Sequence, residues 1–219
     1  MTNIYSWKKY NLNIQKLAKK NIAFNLSSIF NAYENSYYPQ TRDIFSLTAN
    51  STKITNILDF GSNLSLISNL TNRINVKKKF FYIYDPFSKK DDHIKIKGLN
   101  YKVFSNFNEI KKIKFDLIHF GSCIQYIGDF YYYLNLLNLN KKSKILFTAT
   151  PLNLIKKYTT RQTNHNNLFQ IVHSYKILYN YFKLKQFDIV FKSSMDIKLA
   201  KLKTIKPNTY FLNILFQMK

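Results

Sequence analysis

Four glycines, four prolines and a single cysteine among 219 residues leave few of the marks of a specialised chain. One thiol, Cys123, excludes an internal disulfide framework and the usual multi-cysteine metal sites, and no other metal-ligating motif appears. It points to a compartment with reduced thiols, so a cytoplasmic protein is expected. No uninterrupted apolar run reaches the roughly 18 residues needed to cross a bilayer, and no membrane span is expected. The opening "MTNIYSWKKYNLNIQ" has neither the apolar stretch nor the cleavage site of a secretory leader, and none is expected there.

Acid is scarce too: 11 Asp and Glu stand against 34 Lys and Arg, a net charge of +23. Arginine is scarcer still, with only Arg42, Arg73 and Arg161. Arginine supplies the planar fork for phosphate and guanine, whereas lysines scattered in ones and twos, apart from "KKK" at 77–79, make a solvated face. The charge implies general attraction to anionic lipid at a membrane surface or to a phosphorylated substrate, without specific nucleic-acid recognition.

What is present is apolar and aromatic. The 46% hydrophobic and 17% aromatic content gives a globular chain of a size for one cored domain. Residues 14–35 carry apolar groups at mixed helical spacing, which predicts a helical N-terminal layer broken at Pro39. The expected division is an extension over 1–50 packed on an α/β domain over 51–219. Beyond it, "NILDF", "FFYIYD", "YKVF", "FDLIHFGS" and "KILFTA" have the length and continuity of buried parallel strands. Phe130, Tyr133, Leu134 and Leu137 fall at helical spacing behind Asp129 as N-cap, and a second helix follows a Ser174 cap. "FDIVFKSS" and the final "TYFLNILFQ" add a strand pair with an antiparallel edge. The expectation is a layered α/β fold of about seven strands.

With so few glycines, position matters. Gly61 closes the first strand in "ILDFGS", and Gly121 closes the fourth in "FDLIHFGS". In open parallel sheets, ligands sit outside the carboxyl ends of the strands where strand order reverses. Asp85 ends "FFYIYD", a little beyond the spacing of a ribose-binding acid, and its alternative role is to open a turn before Pro86.

The stretches "ILDFGSNLSLIS", "SCIQYIGDFYYYL", "ILFTATPL" and "IVHSYKILYNYFKLKQFDIVF" together resemble a bacterial family of class I S-adenosylmethionine-dependent methyltransferases associated with surface-polysaccharide synthesis. Trp7, Arg42-Asp43, "LDFGS", "IQYI", "ATP" at 149–151 and Ser174-Tyr175 match the family's ordered landmarks across nearly the whole chain. The resemblance implies a Rossmann-like class I sandwich with a mostly parallel seven-stranded sheet and an antiparallel C-terminal strand. It implies S-adenosylmethionine as cofactor, held by Asp59, Gly61, Ser62, Asn63, Leu64, Asp85, Ser122, Cys123 and Gln125. Three positions depart from the pattern: Ser62 and Ser65 replace glycines, and Ala149 replaces an arginine.

Transfer to an alcohol needs a base held close to the acceptor. His173, beside Tyr175, is the first choice. His119 lies inside a strand and reads as a structural, neutral ring, and His93 as a surface residue in a charged turn. Tyr126, Arg161 and His165 are the expected acceptor contacts, the last two suited to an anionic group. The implied acceptor is a saccharide or another small polar molecule. Two other functions stay open at this point: a non-catalytic partner protein with a degenerate cofactor loop, and a nucleic-acid methyltransferase.

Overall fold

The computed structural model describes residues 39–61, 74–85, 98–163 and 169–219. The helical layer expected over 14–35, the loop residues Ser62, Asn63, Leu64 and Ser65, and His93 and His165 lie outside the described residues. The elements in chain order are α1 (Pro39–Ala49), β1 (Asn56–Phe60), β2 (Phe80–Tyr84), β3 (Asn100–Phe104), α2 (Phe107–Ile110) and β4 (Leu117–Gly121). A 3-10 turn (Ile124–Tyr126), α3 (Phe130–Leu136), β5 (Lys144–Asn153), β6 (Tyr158–Arg161) and β7 (Phe169–Ser174) follow. The chain finishes with α4 (Tyr175–Leu184), β8 (Phe187–Met195), a 3-10 turn (Ile197–Ala200) and β9 (Thr209–Met218).

The nine strands among the described residues join one sheet in which β3-β2-β1-β4-β5 run parallel. β9 lies antiparallel against β5 and carries β8 on its far side. The strand pair foreseen at the C-terminus is therefore present, with β9 inserted and β8 at the edge. The surplus over seven strands is the hairpin β6–β7, which no apolar run in the sequence announces. β7 pairs with the end of β5 at Leu152↔His173 and Asn153↔Ser174. It thus continues the sheet beyond the point where β4 stops.

The continuous apolar strands are buried on both faces, as a parallel sheet requires. On one face Leu58, Phe60, Ile118, Phe120, Ile145 and Phe147 pack with Phe130 and Leu134 of α3 and Leu178 and Phe182 of α4. On the other, Ile57, Leu117 and Leu146 pack with Phe45 and Ala49 of α1. Ser174 caps α4 as its sequence suggests, accepting from the Ile177 N–H at 3.4 Å. Asp129 stands at the N-cap position of α3, but its side chain makes no capping bond.

Register between β1 and β4 is set at their entry. The Asp116 carboxylate accepts the Thr55 N–H (2.9 Å), the Thr55 hydroxyl (2.8 Å) and the Asn56 N–H (2.9 Å). Although desolvation pushes that carboxyl up, these bonds outweigh it and hold its pKa below the usual value. Three residues further on, the same register brings Asp59 beside His119.

Candidate functional site

The C-terminal ends of β1, β2, β4 and β5 bring several of the sequence-predicted residues to one edge. Gly61 takes φ +72°, and its N–H donates to the Tyr84 carbonyl at 2.7 Å. A Cβ there would stand 2.8 Å from the Cβ of Cys123. Both the backbone twist and the close approach of the two strand ends demand glycine. Asp85 follows β2, tied by its N–H to the Phe104 carbonyl at 3.0 Å.

Beyond β4, Ser122 adopts φ +49°, a conformation that a β-carbon disfavours by about 1–2 kcal/mol. Its N–H donates to the Thr148 carbonyl (2.9 Å). Gln125 donates through Nε2 to the Ser122 carbonyl (2.7 Å) and hydroxyl (2.9 Å), which leaves its buried Oε1 without a partner. Cys123 is buried against this turn. Burial first, and the charge of Asp59 second, push its thiol well above the ordinary range, which disfavours the thiolate.

Asp59 is wholly buried. One carboxylate oxygen, Oδ1, lies 2.9 Å from His119 Nδ1; the other, Oδ2, has no partner. His119 Nε2 lies 2.7 Å from the Thr148 hydroxyl, and the Phe45 ring covers the imidazole at a centroid distance of 4.6 Å. Register alone made this pairing available, since "LDF" and "IHF" align once β1 and β4 are neighbours. Thr148 carried no signal of its own.

α1 lays Phe45 on His119, near the exit end of β4. The helix's C-terminal end meets the sheet's entry edge, where Asn50 Oδ1 accepts the Asn75 N–H and the Ser51 carbonyl accepts from Lys79. Its N-terminus therefore points to the same edge as Gly61 and Ser122. The Thr41 hydroxyl and Arg42 Nε are buried with no hydrogen-bond partner, and Arg42 Nε forms a long ion pair with Asp43 Oδ1 at 3.9 Å.

The residues expected near the acceptor are spread over the hairpin side. His173 is buried and its Nε2–H donates to the Ile124 carbonyl at 3.0 Å. Burial, with a smaller push from Lys157, brings its pKa down to about 4 against the opposing carbonyl bond, so the ring is neutral. The geometry makes His173 a tie between β7 and the 3-10 turn, and only Nδ1 is left for proton transfer. Tyr126 accepts at its hydroxyl from Gln170 Nε2 (3.1 Å). Tyr175 opens α4 with its ring stacked on Tyr179 and beneath Lys192 Nζ, while Arg161 at the end of β6 covers the Phe169 ring. Among the described residues no group of His, Cys, Asp or Glu is arranged to hold a metal ion. No described helix is long and apolar enough to cross a membrane. One cavity of about 320 Å³ opens at the opposite, entry edge of the sheet, between Leu134 and Lys185. It touches none of these groups.

No protein-family model matches the sequence, and no curated protein matches it. Solved structures do. The 1,6-didemethyltoxoflavin-N1-methyltransferase of Burkholderia thailandensis, with its substrate and S-adenosylhomocysteine bound, aligns over 100% of this chain and 93% of its own at 8% identity and a TM-score of 0.59. A SAM-dependent methyltransferase of Leishmania major aligns over 99% and 87% at 11% identity and 0.58. The 16S rRNA methylase ArmA aligns over 99% and 100% at 12% identity and 0.50. At such identities the likeness is one of fold: the chain has the Rossmann-like architecture of class I S-adenosylmethionine-dependent methyltransferases.

Proposed function

We propose that the chain is an S-adenosylmethionine-dependent methyltransferase acting on a saccharide or another small polar acceptor. The observation that carries this reading is the pairing of Gly61, where no Cβ fits, with the buried carboxylate of Asp59, one oxygen of which is bare. They stand where the sheet order turns from β2 to β4 on either side of β1, the crevice in which doubly wound sheets hold nucleotides. The atoms at this edge that lack a hydrogen bond suit the cofactor's functional groups: Asp59 Oδ2 for its ammonium, Arg42 Nε and the Thr41 hydroxyl in the first turn of α1 for its carboxylate, and Gln125 Oε1 for an adenine amine. Asp85 is assigned the ribose and Ser122 and Cys123 the flanks of the base, while the cofactor role of 61–64 rests on the sequence resemblance. When bound, the cofactor supplies a methyl group on a positively charged sulfur, taken in line by an acceptor nucleophile.

Tyr126, Gln170 and the hairpin are assigned to the acceptor, with Arg161 and His165 toward any anionic group on it. His173 enters as the base through Nδ1 alone, with Tyr175 beside it in the chain. The surface-polysaccharide setting rests on the sequence resemblance. The neighbours' acceptors include a small heterocycle and ribosomal RNA, so the fold does not choose between them. The shortage of arginine favours the small molecule.

A second reading, a non-catalytic partner protein, is favoured by Ala149. It is fully buried where the resembled family has arginine, and Ser62 and Ser65 replace glycines. Calorimetric titration with S-adenosylmethionine decides between them. Binding tighter than about 1 mM is expected for the enzyme; absence of heat at saturating cofactor would leave only the partner protein.

A further inference from the structure

A buried carboxylate with one empty oxygen is an expensive thing to keep. Burying an ionised group without full hydrogen bonding is strongly unfavourable, and buried polar atoms in folded proteins are nearly always satisfied. Asp59 is 0% exposed, yet Oδ2 is bare while Oδ1 is fastened to His119. The fastening itself is built with care. His119 and Thr148 are not register partners: His119 pairs with Leu146, and Thr148 with Gly121. To reach the Thr148 hydroxyl the imidazole leans along β4 over Gly121, where a Cβ would sit 2.7 Å from Cε1. Gly121 admits the ring, Phe45 roofs it, and both ring nitrogens are engaged. Three strands thus cooperate to fix one carboxylate in one orientation. Its charge reaches the Cys123 thiol, which packs against Gly61.

We propose that His119 is a positioning residue, clamped between Thr148 and Asp59 so that Asp59 Oδ2 stays bare to receive the ammonium of an α-amino-acid group on the ligand. The proposal rests on the cofactor assignment above for the identity of that ligand. An ionised Asp59 only accepts, so Nδ1–H must donate to Oδ1. The Thr148 hydroxyl then supplies the hydrogen for Nε2 and fixes the tautomer. Without the clamp the carboxylate would turn to share both oxygens with its neighbours. The ammonium would lose a charge-assisted bond, the strongest kind available in a buried site. A pin that served stability alone would use both oxygens or would be replaced by apolar side chains.

The test is calorimetric titration with two probes, S-adenosylhomocysteine and 5′-methylthioadenosine, which shares the nucleoside but lacks the amino acid. In the His119→Leu protein, S-adenosylhomocysteine affinity should fall about tenfold or more, while methylthioadenosine affinity stays within about twofold. His119→Asn, whose amide keeps a donor for Oδ1, should recover most of the loss. In an Asp59→Asn background, His119→Leu should cause no further loss, because it acts through Asp59. If His119→Leu does not unfold cooperatively, Thr148→Val carries the test, since it frees Nε2 and leaves His119 and Asp59 themselves in place. Equal weakening of both probes, or additive losses in the double variant, overturns the positioning role and leaves the cofactor site standing. A wild-type protein that binds methylthioadenosine but not S-adenosylhomocysteine overturns it too. Failure to bind either probe overturns the site and the role together.

Discussion

The backbone N–H of Ala149 donates to the side-chain Oδ1 of Asn213, 2.9 Å away. That bond sits inside the only irregularity between β5 and β9, where Phe147 opposes Ile214 and Thr150 opposes Leu212. One extra residue is accommodated on β5, and Ala149 takes φ +49° to do it. Ala149→Gly should therefore stabilise the protein by about 1 kcal/mol, since glycine takes that backbone without a β-carbon penalty. Asn213→Ala should destabilise it by about 1–3 kcal/mol by orphaning the Ala149 N–H. Urea unfolding curves check both, and an Ala149→Gly protein less stable than wild type would dismiss the strain.

Gly61→Ala should damage the protein through contact as well as φ, because the new Cβ meets the Cβ of Cys123, not only its sulfur. Cys123→Ala should fail to rescue it, whereas Cys123→Gly should recover part of the stability and of S-adenosylhomocysteine binding. Rescue by Cys123→Ala would mean that the sulfur, at 3.3 Å, makes the critical contact. Thermal melts of the four proteins separate these outcomes.

The folded-state pKa of His173 is depressed, from 6.5 to about 4, chiefly by burial. The unfolded chain therefore binds the proton first as pH falls. The neutral ring's contribution is fully present above about pH 6.5, declines between there and about pH 4, and then levels off. The whole decline is worth about 3 kcal/mol. Denaturant midpoints at pH 7, 5.5 and 4 should show a His173→Gln protein losing less stability over this interval than wild type. Parallel losses would place the sensitivity elsewhere.

Asp85→Ala should weaken S-adenosylhomocysteine binding by about 1–3 kcal/mol, the range for hydrogen bonds to a charged acceptor. Unchanged affinity would return Asp85 to its alternative role as a turn opener. The backbone bond from Asp85 to Phe104 does not depend on the side chain, so the fold should survive the change.

Continuity of apolar residues makes the parallel strands legible in the sequence alone: "NILDF" is β1 residue for residue. The hairpin is not legible in this way. β6 is only four residues long and exposed at every second position, with a single apolar-bodied residue, Tyr158, and the pairing that makes it a strand is supplied by β7. Gly61 and Asp85 can be singled out because glycine and a strand-end carboxylate carry local signals. Thr148, Arg42 Nε and the bare oxygens cannot, because a side chain's lack of partners belongs to three-dimensional packing. His119 falls between these cases. Its burial is apparent from its strand, but its bond to Asp59 requires the register fixed at Asp116.

β5 belongs to two structures at once. Below Ala149 it is an interior rung between β4 and β9; above it, the same strand is the seam on which the β6–β7 hairpin is sewn. A graft that exchanges the hairpin for another from a protein of this architecture would touch the upper half and leave Asp59, Gly61, His119 and Thr148 unmoved. The molecule is in this sense a socket with an interchangeable jaw. On the proposed function, new acceptors would be tried at the jaw, by descent or by design, without rebuilding the half proposed to hold the methyl donor.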